Sequence, residues 1–210
     1  MGKKVSHNRR GTQRRRVARE SAQLLYTGQE KEYRQAKQRA AEILGVNVLP
    51  NNAEIAMELN RIAEEREGPR RHRNLLQMRR EALQIMQSLE SFSPILVGSV
   101  WRGTARLDSD IDIVAYAQNP REVASTLENA QYAITKTDAQ VVTKHGMNEP
   151  AFHIYLDLPS GHQAEIVVRS PESVDQRVKC EIFGDQITGL TVEQLRRIQR
   201  DNPQQKFLPT

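Results

Sequence analysis

The spacing of apolar residues divides this chain into a helical first half and a second half rich in strands. Between Val17 and Leu44, the residues Ala22, Tyr26, Tyr33, Ala36, Ala40 and Ile43 recur at helical steps, which predicts one apolar stripe on a polar rod. Gly28 weakens that helix locally and Gly45 ends it. Pro50-Asn51-Asn52 starts a second helix with an asparagine cap, and Ile55, Leu59 and Ile62 carry it to about residue 67. Gly68-Pro69 breaks the pattern, and a third helix over residues 71–92 aligns Leu75, Ala82, Met86 and Leu89. After Ser93-Pro94 the period shortens to two. Residues 95–97 read as a short buried strand closing on Gly98, and residues 110–116 as a strictly alternating one. Asn119-Pro120-Arg121-Glu122 opens a helix that ends near Asn129. Three more strands are predicted, from residue 132 to 137 or on to 143, over 152–158 and over 163–169. The turn Pro159-Ser160-Gly161-His162 makes the last two an antiparallel hairpin. Thr191-Val192-Glu193-Gln194 opens a final helix with a capping box, and Asn202-Pro203 closes it.

Composition refines this picture. At 210 residues and 38% hydrophobic content the chain supports a modest core with a polar helical extension. The net charge of +5 is a property of one end. Lys3, Lys4, Arg9, Arg10, Arg14, Arg15, Arg16 and Arg19 precede the first acid, Glu20; without them 23 basic residues face 26 acidic ones, a net of −3. Such an arm, residues 1–20, is expected to be disordered until it meets a polyanion, RNA being the natural candidate, although a merely solvated terminus has the same composition. Arg70, Arg71, Arg73, Arg79 and Arg80 form a second basic cluster. Met1-Gly2-Lys3-Lys4-Val5-Ser6 also fits a loose N-myristoylation pattern. Cys180 is the only cysteine, so no intrachain disulfide forms. No apolar run reaches membrane-spanning length and the arginine-rich start lacks a secretory signal's apolar stretch, so the expected location is cytoplasmic, with no membrane partner.

The chemistry concentrates between Val97 and Val114. Asp110 and Asp112, one residue apart on a strand, project from the same face about 6 to 7 Å apart. Two carboxylates so close repel each other unless a cation lies between them, and an oxygen-only pair with open positions suits Mg²⁺ shared with substrate phosphates. Charged strand edges are common, so the pair alone is weak evidence. Its neighbours add weight. Gly98 lets backbone approach a phosphate, Ser99 adds a hydroxyl at the start of a short helix, and Arg102 and Arg106 add positive charge. A calcium loop starting at Asp108 is excluded, because Ile113 stands where that loop needs glycine and Asn119 where it needs glutamate.

Gly98-Ser99, ten intervening residues and Asp110-Ile111-Asp112 resemble the signature of the DNA polymerase beta-type nucleotidyltransferase superfamily, its minimal members above all. The likeness is close over residues 95–116 and looser to about 169. It implies an α+β fold, a small mixed β-sheet flanked by helices. It also implies a third metal-binding carboxylate on a later strand. Glu165, within the alternating run Ala164-Glu165-Ile166-Val167-Val168, is similar to that element, with a glutamate where an aspartate is more usual; Asp157 is the rival. The implied activity moves a nucleoside monophosphate from an NTP such as ATP to an acceptor hydroxyl, with two Mg²⁺ ions held by Asp110, Asp112 and Glu165 and with Gly98, Ser99, Arg102 and Arg106 at the nucleotide.

The acceptor is expected to be RNA, since both basic clusters lie outside the catalytic segment. Protein or small-molecule modification is the alternative within the enzyme class, and a non-catalytic RNA-binding adaptor the alternative outside it. The chain is too short for the separate tRNA-holding domains of a full CCA-adding enzyme. His7, His72, His145, His153 and His162 have no metal-ligand spacing. His153 reads as a surface residue more readily than as one facing the carboxylates, and Trp101 and Tyr155 either stack on a base or pack. The expected organisation is a disordered arm (1–20), a helical region (21–92), the nucleotidyltransferase domain (93–202) and a tail (203–210).

Overall fold

The computed structural model describes residues 2–144 and 147–209, with side chains at 10–139 and 151–209; Met1 of the myristoylation-like start and His145 lie outside the described residues. The elements run α1 (Gly2–Tyr26), α2 (Tyr33–Leu44), α3 (Asn52–Ser88), β1 (Ile95–Val97), α4 (Gly98–Arg102), β2 (Ile111–Tyr116), α5 (Pro120–Asn129), β3 (Ala133–Lys144), β4 (Met147–Asp157), β5 (Gln163–Arg169) and α6 (Val192–Asp201). The chain divides into two compact units. One holds the residues up to Gly68 with Lys179–Asp185, the other Pro69–Val178 with the residues from Gln186 onward. Helix α3 crosses the division at Gly68, whose φ of 49° and ψ of −132° are not helical, with Pro69 next to it.

The first unit differs from expectation at its start. The arm expected to be disordered to residue 20 belongs to helix α1. Val17 and Ala22 are fully buried, and Arg14 holds Glu54 through its Nη2, 2.7 Å from Oε2, and its Nε. Burial and a matching acid explain why a basic segment coils. Gly28 turns the chain, so the single helix predicted over 17–44 is two. Asn51 and Glu54 exchange reciprocal side chain-to-backbone bonds of 2.8 and 2.7 Å, the predicted cap of α3.

The second unit carries a five-stranded mixed sheet in the order β1-β2-β5-β4-β3. Only β2 and β5 are parallel; the other pairs run antiparallel, the predicted β4–β5 hairpin included. Ile111, Ile113 and Ala115 of β2, and Ala164, Ile166 and Val168 of β5, face the core, which leaves the residues between them on the opposite face. Leu75, Met78, Ala82, Ile85, Met86 and Leu89 of α3 and the turn after it pack in that same core. Residues 69–92 thus belong with the sheet rather than with the preceding helices, because the apolar stripe of α3 covers it. The expected tail also joins this unit: Arg79 donates to the carbonyls of Pro203 and Gln205 at 2.7 and 2.8 Å. Asn119 caps α5 and Thr191–Gln194 forms the predicted capping box of α6.

Candidate active site

The site begins where β1 runs out. Val97 pairs with Asp112 across the antiparallel β1–β2 ladder, and the next residue, Gly98, turns into α4 with φ 69°. A Cβ on Gly98 would stand 1.9 Å from Oδ2 of Asp112. Glycine is therefore required both by the backbone conformation and by the carboxylate against it. The loop that follows is fastened from α3. Arg71 donates to the carbonyls of Ala105 and Thr104 at 2.8 and 2.7 Å, and Asn74 to that of Arg106 at 3.3 Å. Ser109 Oγ accepts the Arg106 N–H at 2.9 Å, which closes the loop just before Asp110.

Three carboxylates then converge. Asp112 and Glu165 are register partners on the parallel strands β2 and β5, neighbours at the strand spacing of about 4.8 Å. Asp110 directly precedes β2, close enough for its charge to act on Asp112 and for that of Glu165 to act on it. Burial, and then the charges of Glu165 and Asp110, push the Asp112 carboxyl up from 3.8 to about 7. Partial burial, and then Glu165 and Asp108, raise Asp110 as well. Neither aspartate pairs with a lysine or arginine among the described residues. Nor do any three His, Cys, Asp or Glu side chains among the described residues form a ready metal cage. Hard oxygen donors that raise one another's proton affinity, in a setting still open at Asp110, are a donor set that fits a divalent cation keeping several waters.

The other expected residues separate into two groups. Ser99 sits half-buried in the first turn of α4 beside Gly98. Arg102 is not at the carboxylates: it is 5% exposed, stacks 4.5 Å over the Trp101 ring and donates to the Phe207 carbonyl at 3.0 Å. Trp101 is buried against Phe207, so it packs. Arg106 lies 3.1 Å from Asp108. Asp157 accepts from Gln163 at 3.0 Å and, unlike Glu165, is not among the charges that raise Asp110 and Asp112. It lines, with Asp108, Asp110 and His162, a pocket of about 450 Å³.

Sequence reasoning missed two arrangements. His153 is no plain surface residue: its Nδ1 is 2.7 Å from Oε1 of Glu165, and Tyr155, its ring stacked on that of His153, stands opposite Glu165 on the neighbouring strand. Alternation with Ile154 was the available signal. His162 joins the β4–β5 turn to α3, with Nδ1 2.6 Å from Oε2 of Glu81 and Nε2 2.8 Å from Oδ1 of Asn74. Asn74 and Glu81, two helical turns apart, share a face. The second basic cluster is partly structural. Arg71 and Arg79 are buried on backbone carbonyls, Arg79 also reaching those of Val100 and Trp101 at 3.2 and 3.0 Å.

A family model described as nucleotidyltransferase domain matches residues 79–195, more than half of the chain. The chain belongs to the nucleotidyltransferase domain family. The matched segment holds the last turns of α3, the whole sheet, and Asp110, Asp112 and Glu165. Among solved structures, this chain is similar to Cid1 in complex with the UTP analogue UMPNPP (16% identity, TM-score 0.33, 53% of this chain and 36% of that one). It is also similar to the GLD-2/RNP-8 complex (16% identity, TM-score 0.33, 55% and 40%) and to a cytoplasmic RNA terminal U-transferase (14%, 0.28, 56% and 34%). The chain thus spans 34–40% of the length of these chains. A comparison with curated proteins gives no match. Among the described residues, no helix is long and apolar enough to cross a membrane.

Proposed function

We propose that this nucleotidyltransferase moves a nucleoside monophosphate from an NTP to an acceptor hydroxyl, with divalent magnesium held by Asp110, Asp112 and Glu165. The observation that carries the reading is the register match of Asp112 with Glu165 beside the tight turn at Gly98. Asp110 and Asp112 would hold both ions, and Glu165 would hold the catalytic one and favour deprotonation of the attacking hydroxyl. Bound magnesium supplies charge neutralisation at the entering and leaving oxygens. Gly98 and Ser99 orient the triphosphate tail, with pyrophosphate leaving past them. Arg106 borders the same loop, whereas Arg102 supports the site through the fold.

RNA is the proposed acceptor. What supports it is charge: Arg10, Arg15, Arg16 and Arg19 are exposed on α1, a surface that favours a polyanion in a salt-sensitive way. Incubating the protein with each labelled NTP, Mg²⁺ and fractionated cellular RNA, protein and small molecules tests both parts. Label entering RNA with wild type and not with Asp112→Asn supports the reading. Label entering only protein or small molecules removes RNA from it, and equal label with the variant, or none with either, removes the transfer itself.

A further inference from the structure

We infer that His153 and Tyr155, side by side on β4, are positioning residues that set the Glu165 carboxylate for cation binding; this rests on the proposed magnesium-binding role of Glu165. Strand β4 pairs antiparallel with β5, with Tyr155 opposite Glu165 and His153 opposite Val167. Both side chains therefore stand on the face that carries Glu165. His153 Nδ1 reaches Oε1 at 2.7 Å. The two rings stack with centroids 6.3 Å apart and planes at 17°, so each limits the other's rotation.

A glutamate needs this support more than an aspartate does. Its extra methylene adds a rotatable bond, and the carboxylate must turn back to meet Asp112 on the neighbouring strand. The His153 donor, its ring held by the stacked Tyr155, removes that freedom. The cost of placing a histidine here points the same way: Nε2 of His153 is buried with no hydrogen-bond partner among the described residues, which opposes folding. An apolar ring would fill the space without that penalty, and it would lack the donor at Nδ1. The chemistry gained is the bond to Glu165, and partners of this kind hold a metal-ligating carboxylate in one orientation.

The test is calorimetric titration of Mn²⁺ into the full chain, with thermal melting in chelator as a separate readout of the fold. His153→Phe is expected to weaken Mn²⁺ binding by about 10- to 100-fold while the melting temperature in chelator stays within a few degrees of wild type or rises. His153→Asn, whose amide nitrogen replaces Nδ1, is expected to bind within a few-fold of wild type. Tyr155→Ala removes the ring that limits His153 and is expected to bind several-fold more weakly, so the inference stays testable even if His153→Phe does not fold. Undiminished binding in both His153→Phe and Tyr155→Ala, or a His153→Asn as weak as a well-folded His153→Phe, overturns it. Absence of Mn²⁺ binding in wild type fails the reading of Glu165 as a metal ligand, a failure visible before any variant is compared.

Discussion

Gly98 and Asp112 meet so closely that a Cβ on the glycine would lie 1.9 Å from the carboxylate oxygen Oδ2. The turn that ends β1 and the acid at the start of β2 thus depend on each other. A side chain at position 98 must displace Asp112, and a displaced Asp112 no longer faces Glu165. Gly98→Ala also carries a left-handed φ of 69°, which costs about 1 kcal/mol. The expected outcome is a melting temperature lowered by a few degrees and nucleotidyl transfer lowered about 100-fold or more, for a reacting group displaced by about 1 Å. Melting curves and initial rates on the same preparation check both.

Asp112 is held against its own charge. The folded carboxyl titrates near 7 and the unfolded one near 3.8, so between these values the folded state holds the extra proton. Its contribution to stability is therefore fully present below about 3.8 and is lost as pH rises through about 7. Asp112→Asn removes this dependence. In chelator at pH 8 the variant is expected to melt several degrees above wild type, with the gap closing toward pH 5, while transfer is abolished. Melting at the two pH values checks the sign.

Arg79 is the structural counterpart. Its guanidinium is fully buried and bonded to the carbonyls of Val100, Trp101, Pro203 and Gln205, and burial lowers it only to about 10, so it stays charged. Arg79→Met leaves four acceptors without this donor and is expected to cost about 3 kcal/mol or more. Arg79→Lys cannot reproduce the fork and is expected to recover little of it. Urea unfolding of the three proteins measures the difference.

These arginines also mark how far the sequence could be read. The alternation of Ile111, Ile113 and Ala115 around Asp112 assigned both the strand and the face of the carboxylate, because sheet geometry is local. The caps at Asn119 and Thr191 were legible for the same reason. Arg71, Arg79 and Arg102 read as charge for a polyanion or a nucleotide, yet they bond backbone carbonyls between 21 and 126 residues away. A long-range partner leaves no local signal. The His153 donor on Glu165 was hidden likewise, since pairing of β4 with β5 brings it there. The helical start of the basic arm depended on Glu54, forty residues on.

The RNA proposal makes a separable prediction. Replacing Arg15 and Arg16 with glutamate is expected to weaken RNA binding and to flatten its dependence on salt, by about 0.7 to 0.9 in the log–log slope for each phosphate that is no longer neutralised. Mn²⁺ affinity is expected to stay unchanged. Filter binding across a salt series checks the first and calorimetry the second.

In the proposed mechanism Asp110, Asp112 and Glu165 together hold the cation that drives transfer. Crystals grown with Mn²⁺ and a non-hydrolysable triphosphate analogue put this to the test through the anomalous signal of the metal. The expected result is density bridging all three carboxylates, with the triphosphate lying along Gly98 and Ser99. Manganese bound elsewhere, or a nucleotide seated with no metal at Asp112 and Glu165, would contradict it.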